Sequence, residues 1–170
     1  DELKNIARNN GIVGAGGAGF PAYAKMTEKA DTVILNCVEC EPLLKLHRQL
    51  LATHTEEIIQ MLDEVRESFG AKEAVIGIKS EYVTTIKAIE EVIGDFPNVR
   101  ICALKAAYPM GDEVVLIYEA TGRVIKPGGL PIDENVVVYN VETMYNLYRA
   151  VHLNIPVTNK LVSIVGEIDH

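Results

Sequence analysis

The sequence predicts an α/β fold, a three-layer Rossmann-like parallel sheet flanked by helices, on three observations. Short apolar runs at Thr32–Cys37, Glu73–Lys79 and Val99–Leu104 alternate with stretches of helical period, the pattern of βαβ units joined by right-handed crossovers. The first of these, Thr-Val-Ile-Leu-Asn-Cys, is continuous and β-branched, as expected of a strand buried on both faces. At 170 residues and 48% hydrophobic, the chain is long enough for one domain with a substantial core.

Each element follows from local chemistry. Leu3, Ile6 and Ala7 mark a short amphipathic helix over 2–9, closed by Asn9-Asn10-Gly11. A glycine-rich turn follows, and Pro21 opens a helix to about Glu28, its fixed φ suiting the first helical position. After the first strand, Thr53-x-x-Glu56 reads as a capping box for a helix burying Ile58, Ile59, Met61, Leu62 and Val65 and stopped by Gly70. Ser80 is expected to cap the next helix, with Val83, Ile86, Ile89, Val92 and Ile93 inward and Gly94 as its stop. Val114 to Ala120 reads as helix ended by Thr121-Gly122, and Lys126 to Pro131 as a turn-rich connector. Val136 to Tyr139 leads into Asn140, an N-cap for a helix with Met144, Leu147, Tyr148 and Val151 on its inner face. From Pro156 the chain alternates like a strand with no partner. The expected organisation is one α/β domain over 1–155 and, over 156–170, the start of a following domain.

Charge and composition narrow the function. A formal net charge of −8 argues against nucleic acid, whose phosphates attract basic surfaces. No apolar run approaches membrane-spanning length. Three cysteines are too few and too odd in number for a disulfide framework, which points to a reducing cytoplasm. The chain begins without Met or a signal-like segment, so a piece of a longer protein is expected.

The candidate site starts at Gly14-Ala-Gly-Gly-Ala-Gly19. Glycines reach positive φ and let a ligand lie against peptide N–H groups, and a helix N-terminus after such a turn favours phosphate. Gly14-x-Gly16-x-x-Gly19 also satisfies the dinucleotide fingerprint, with Glu39 as the acid roughly 20 residues on, but only Ile12 and Val13 stand where that fingerprint needs a strand. A phosphate-bearing flavin suits the loop better, and a plain flexible connector is the competing reading. Ligands of parallel sheets bind beyond the strands' carboxyl ends, which singles out Glu39-Cys40-Glu41-Pro42 and Ala106 to Glu113. Cys37-x-x-Cys40 suggests a redox pair or half a metal site, yet three cysteines exclude a Cys₄ cluster and His47 or His54 would make no known zinc spacing. Buried, unreactive thiols are the better reading, at least for Cys37, and no metal site is expected. Glu39 and Glu41 also fit as solvated acids ahead of a helix after Pro42. The four histidines form no catalytic constellation, and no nucleophile elbow is present.

Five blocks then fall in a familiar order: Gly14-Ala-Gly-Gly-Ala-Gly-Phe-Pro-Ala-Tyr-Ala-Lys25, Asn36-Cys-Val-Glu-Cys-Glu-Pro42, Tyr108-Pro-Met-Gly-Asp-Glu113, Pro127-Gly-Gly-Leu-Pro131 and Asn140-Val-Glu-Thr143. Together they resemble the FMN-binding domain of the NADH-oxidising subunit of respiratory complex I. The shorter relatives are more similar: the RnfC proteins, the cobalamin reductase of propanediol utilisation and the electron-transfer protein associated with proline reductase. The resemblance implies FMN as cofactor, NADH or NAD as substrate, and 4Fe-4S clusters in a missing part of the protein that also includes a β-grasp domain. It places Gly14, Gly16, Gly17, Ala18 and Gly19 along the flavin, Lys25 near its ring or phosphate and Asn36 beneath it. Glu39 and Glu41 would line the nicotinamide side and, with Lys25, serve catalysis. Tyr108, Gly111, Asp112 and Glu113 would close the opposite wall, and Asn140 and Thr143 meet the phosphate or ribityl chain. The implied partners are a nucleotide and a redox protein or membrane complex, in the cytoplasm or peripherally on the inner membrane. Two departures stand out: Tyr139 replaces an Asn that the family often has, and Met26, Thr27 and Glu28 supply no aromatic after Lys25. They motivate a second expectation, an interaction module that keeps the fold without its ligand.

Overall fold

The computed structural model describes residues 2–41 and 43–166. Its centre is a sheet of β1 (Thr32–Cys37), β2 (Glu73–Lys79), β3 (Val99–Leu104) and β4 (Val136–Asn140), parallel throughout and ordered β3-β2-β1-β4. The first three strands begin and end where the apolar runs do; β1 and β2 are buried on both faces, with Val33, Ile34, Leu35 and Cys37 fully buried, while the edge strand β3 is partly exposed. The helices are α1 (Glu2–Asn9), α2 (Ala22–Lys25), α3 (Leu46–Thr53), α4 (Thr55–Phe69), α5 (Val83–Val92), α6 (Glu113–Thr121) and α7 (Val141–His152). One sheet face, presenting Leu35, Ile76 and Val137, carries the main core with α4 and α7. The other packs Ile34 and Val75 against Leu116 and Ile117 of α6. Gly77 permits that approach, since a Cβ there would stand 2.5 Å from Leu116 Cδ1. With α6 seated over β2 and β3, the β4 side of this face is left to loops.

Several boundaries differ from expectation. Thr53 closes α3 and donates its hydroxyl to Gln49 O at 2.8 Å, so the expected capping box does not form and α4 starts from His54 without a side-chain cap. A helix ending one residue earlier draws the hydroxyl back onto its own i−4 carbonyl. Ser80 gives its N–H to Leu104 O at 2.8 Å, extending the strand pairing, and α5 begins at Val83 after Tyr82. Val83 is consequently exposed, and Thr85 takes the inward place, donating to Arg48 O at 3.0 Å. α2 stops at Lys25 because Met26 turns extended and buries its side chain. Gly70 and Gly122 end α4 and α6 in the left-handed conformation, φ +66° and +73°, as their positions required. Residues 156–166 form no strand; Val157 donates to Asn10 O, and Lys160 and the Leu161 N–H both reach the buried carboxylate of Glu142. The remainder of the expected following domain, 167–170, and Pro42 lie outside the described residues.

Candidate flavin-binding cavity

A cavity of about 270 Å³ opens where the glycine loop crosses the carboxyl rim of β1 and β4. The neck of the loop is pinned by a bridge between Val13 and Pro21 and by Gly14 N–H on Phe20 O at 2.7 Å. Its far side is tied across the chain, Ala15 N–H donating to Thr143 Oγ1 at 2.9 Å in the first turn of α7. Gly17 (φ +129°) and Gly19 (φ +63°) hold conformations that L side chains rarely adopt. The amides of Gly16, Gly17, Ala18 and Gly19 make no close bond to a protein acceptor among the described residues. They are donors left for an anion or a heterocycle edge.

The floor is the sheet itself. Register sets Asn36 beside Asn140, and each carboxamide is held at both ends. Asn36 accepts from Val38 N–H at 2.9 Å and donates to Gly111 O at 3.1 Å. Asn140 accepts from Glu142 N–H at 2.9 Å as the N-cap of α7, while its Nδ2 lies against the His47 ring. Lys25 Nζ donates to Val138 O at 3.2 Å and lies 3.5 Å from Glu113. Beyond this pair a second, more apolar cavity of about 380 Å³ shares Phe20, Lys25, Glu113 and Val138 and continues to Leu130 and Ile132.

Of the residues expected at the site, Gly14, Gly16, Ala18, Lys25, Asn36, Glu113, Asn140 and Thr143 line one cavity, with Gly17 and Gly19 in the same loop. Gly111 acts through its backbone, packed so closely on Val38 and Cys40 that a Cβ would stand 2.3 Å from Val38 O. Asp112 is spent as the N-cap of α6, accepting from Val114 and Val115 N–H. Tyr108 is 84% exposed on the rim, and Glu41 is exposed as well. Glu39 departs from expectation: it is 4% exposed, accepts His47 N–H at 2.9 Å in the first turn of α3, and faces Arg48 at 3.8 Å. A helix start with unpaired N–H groups attracts the nearest carboxylate, and Glu39 is the one within reach. The helix expected after Pro42 is α3, but sequence reasoning missed Phe20 as a wall and the contact that His47 of α3 makes with Asn140. Phe20 was visible inside the glycine block; His47 reaches Asn140 only by tertiary packing.

Cys37 is buried, with its thiol pKa driven up by desolvation, and Cys40 packs under Gly111. Burial of this kind makes Cys37 inert. Among the described residues no three His, Cys, Asp or Glu side chains gather as a metal site, and no helix is long and apolar enough to cross a membrane. The donor set combines one cation, two fixed carboxamides, free loop amides and an apolar annex. It suits a flat heterocycle bearing a phosphate, the two ends of FMN.

Comparison with known proteins agrees with this chemistry. Residues 7–149 match the family model described as the Nuo51 FMN-binding domain. The chain is 39% identical over 166 residues to cobalamin reductase PduS of Citrobacter freundii, covering 98% of this chain and 36% of that protein. It is 33% identical over 171 residues to the C component of the Na⁺-translocating ferredoxin:NAD⁺ oxidoreductase complex of Acetobacterium woodii, covering 98% of this chain and 39% of the relative. An NAD⁺-reducing [NiFe]-hydrogenase, solved in its H₂-reduced state, superposes with a TM-score of 0.74 at 25% identity, over 88% of this chain and 30% of its own. The chain therefore spans well under half the length of these relatives. It belongs to the Nuo51 FMN-binding domain family.

Proposed function

We propose that this domain is the hydride port of a longer iron–sulfur flavoprotein that oxidises NADH, or reduces NAD⁺, and hands single electrons to 4Fe-4S clusters outside these residues. Bound FMN supplies a ring that exchanges two electrons with a nicotinamide and one at a time with a cluster. The observation that supports the reading is the meeting of the loop amides, Lys25, Asn36 and Asn140 in one cavity at the sheet's carboxyl rim. Lys25 is the cation in reach of a flavin's polar edge, where positive charge favours the electron-rich form. Asn36 and Asn140 orient the ring and its tail from below. Glu41 lines the side from which a nicotinamide would approach and Tyr108, Gly111 and Glu113 close the opposite wall, while Glu39 acts indirectly by fixing α3.

In the same reading, residues 156–170 begin a β-grasp domain, its entry strapped to Glu142 of α7 through Lys160 and Leu161. The Rnf-type relatives are components of ion-translocating oxidoreductase complexes, and by that likeness the protein works in the cytoplasm or on the inner membrane within a complex. The test is reduction of a dye by NADH with the full-length protein loaded with FMN. Lys25→Ala should weaken FMN binding about tenfold, as expected for loss of a charge-assisted contact, and slow dye reduction. Failure of NADH to bleach the flavin absorbance of the loaded wild-type protein would overturn the NADH assignment and leave the FMN assignment standing.

A further inference from the structure

We infer that His47 is a positioning residue for the cofactor: the face of its neutral imidazole fixes the carboxamide of Asn140 inside the flavin cavity. The inference rests on FMN occupying that cavity.

Asn140 Nδ2 lies 3.4 Å from Nδ1 and 3.3 Å from Nε2 of His47. An in-plane approach this even to both nitrogens would drive Nδ2 into Cε1, which lies between them, so the amide nitrogen sits over the ring. Amide N–H groups are attracted to an electron-rich aromatic face, and a protonated ring reverses that attraction. The other end of the carboxamide is committed, Oδ1 accepting from Glu142 N–H at 2.9 Å. A flip would forfeit this cap and turn the oxygen lone pairs onto the ring. On the third side lies Gly16, close enough that a Cβ there would make ordinary van der Waals contact with Nδ2 at 3.6 Å. One Nδ2 hydrogen thus goes to the imidazole, and the other is left for the ligand.

The ring is itself fixed by the turn that Glu39 organises. His47 N–H donates to the buried carboxylate of Glu39, whose second oxygen faces Arg48. The charged groups that bear on the ring are Glu39 before α3, Glu142 in α7 and Lys160 in the outgoing chain. Burial lowers the ring's proton affinity, the two carboxylates oppose it and Lys160 adds to it, with a net downward shift. The ring is therefore neutral at neutral pH, and protonation on acidification would set a positive face against the amide.

The test is FMN affinity of the full-length protein by flavin-fluorescence titration between about pH 7.5 and 4, a range that reaches well below the ordinary His titration because this ring is shifted down. His47→Leu removes the platform and should weaken binding about threefold to fivefold at the upper pH. His47→Phe keeps a ring face that never titrates and should bind as wild type there. The FMN phosphate titrates near pH ~6 in every variant, so the part due to His47 is the extra acid weakening of wild type over His47→Phe. Superimposable profiles for these two would overturn the inference, as would wild-type affinity in His47→Leu. Should His47→Leu fail to fold, the comparison of wild type with His47→Phe still decides. A wild-type protein that takes no FMN at any pH would remove the cofactor assignment, and this inference with it.

Discussion

Gly111→Ala offers a direct test of how the site's outer wall is built. The added methyl would lie 2.3 Å from Val38 O and 2.6 Å from Cys40 Sγ. The carbonyl belongs to the residue that continues β1, so it cannot yield as a side-chain end would. The backbone of 110–112 must move outward, and Asn36 then loses its bond to Gly111 O. Overpacking of this kind destabilises by about 1–3 kcal/mol, and the lost hydrogen bond adds about 1 kcal/mol. A total of about 2–4 kcal/mol follows, measured by urea unfolding followed with far-UV circular dichroism, together with weaker FMN binding as the wall shifts. Gly94→Ala is the control: nothing lies within 4 Å of its Cβ position and its φ is not positive, so its effect should stay within about 0.5 kcal/mol. If Gly111→Ala matched that control in both stability and FMN affinity, the packing argument for the wall would be wrong.

Asn36→Ala should remove about 2 kcal/mol, one hydrogen bond each to Val38 N–H and Gly111 O, and hydrogen exchange should show faster opening around residues 110–112. Asp31 tests the opposite end of the sheet. Burial alone would raise its carboxyl pKa, but Arg123 at 2.6 Å, aided by Thr32 and Lys72, holds it below the ordinary value. A depressed carboxyl contributes stability above its unfolded pKa and loses it as pH falls through the folded one. Asp31→Asn should therefore destabilise by about 1 kcal/mol at neutral pH, with the gap closing below about pH 4 in urea unfolding run across pH.

The sheet was readable because its signal is local. Val33, Ile34 and Leu35, or Val75 and Ile76, need no distant partner to declare themselves buried. The glycine loop was readable for the same reason, since Gly17 and Gly19 are the residues their backbone angles demand. Caps were less so: Thr53 and Ser80 have the right side chains, yet Gln49 O takes the Thr53 hydroxyl and strand pairing runs on through the Ser80 N–H to Leu104 O. Least readable were contacts closed by folding. Ala15 meets Thr143 across 128 positions and Asn140 meets His47 across 93. Glu39 looked like a rim acid from its place after β1, and only the presence of α3 shows why it turns inward. The family resemblance supplied the set of loop, strand-end and α7 residues; it said nothing of how each is held.

The uneven covering of the sheet has a mechanical consequence. On the cavity side, α6 leaves β4 to the glycine loop and to the segment that ends at Asp112, so the floor beneath any ligand is hydrogen-bonded strand and the sides are connectors. Opening the strands would mean unzipping the centre of the molecule, whereas the connectors are anchored by a handful of bonds such as Ala15 to Thr143 and Asn36 to Gly111. The weakly held part of the site is therefore its rim, and the firmly held part its base.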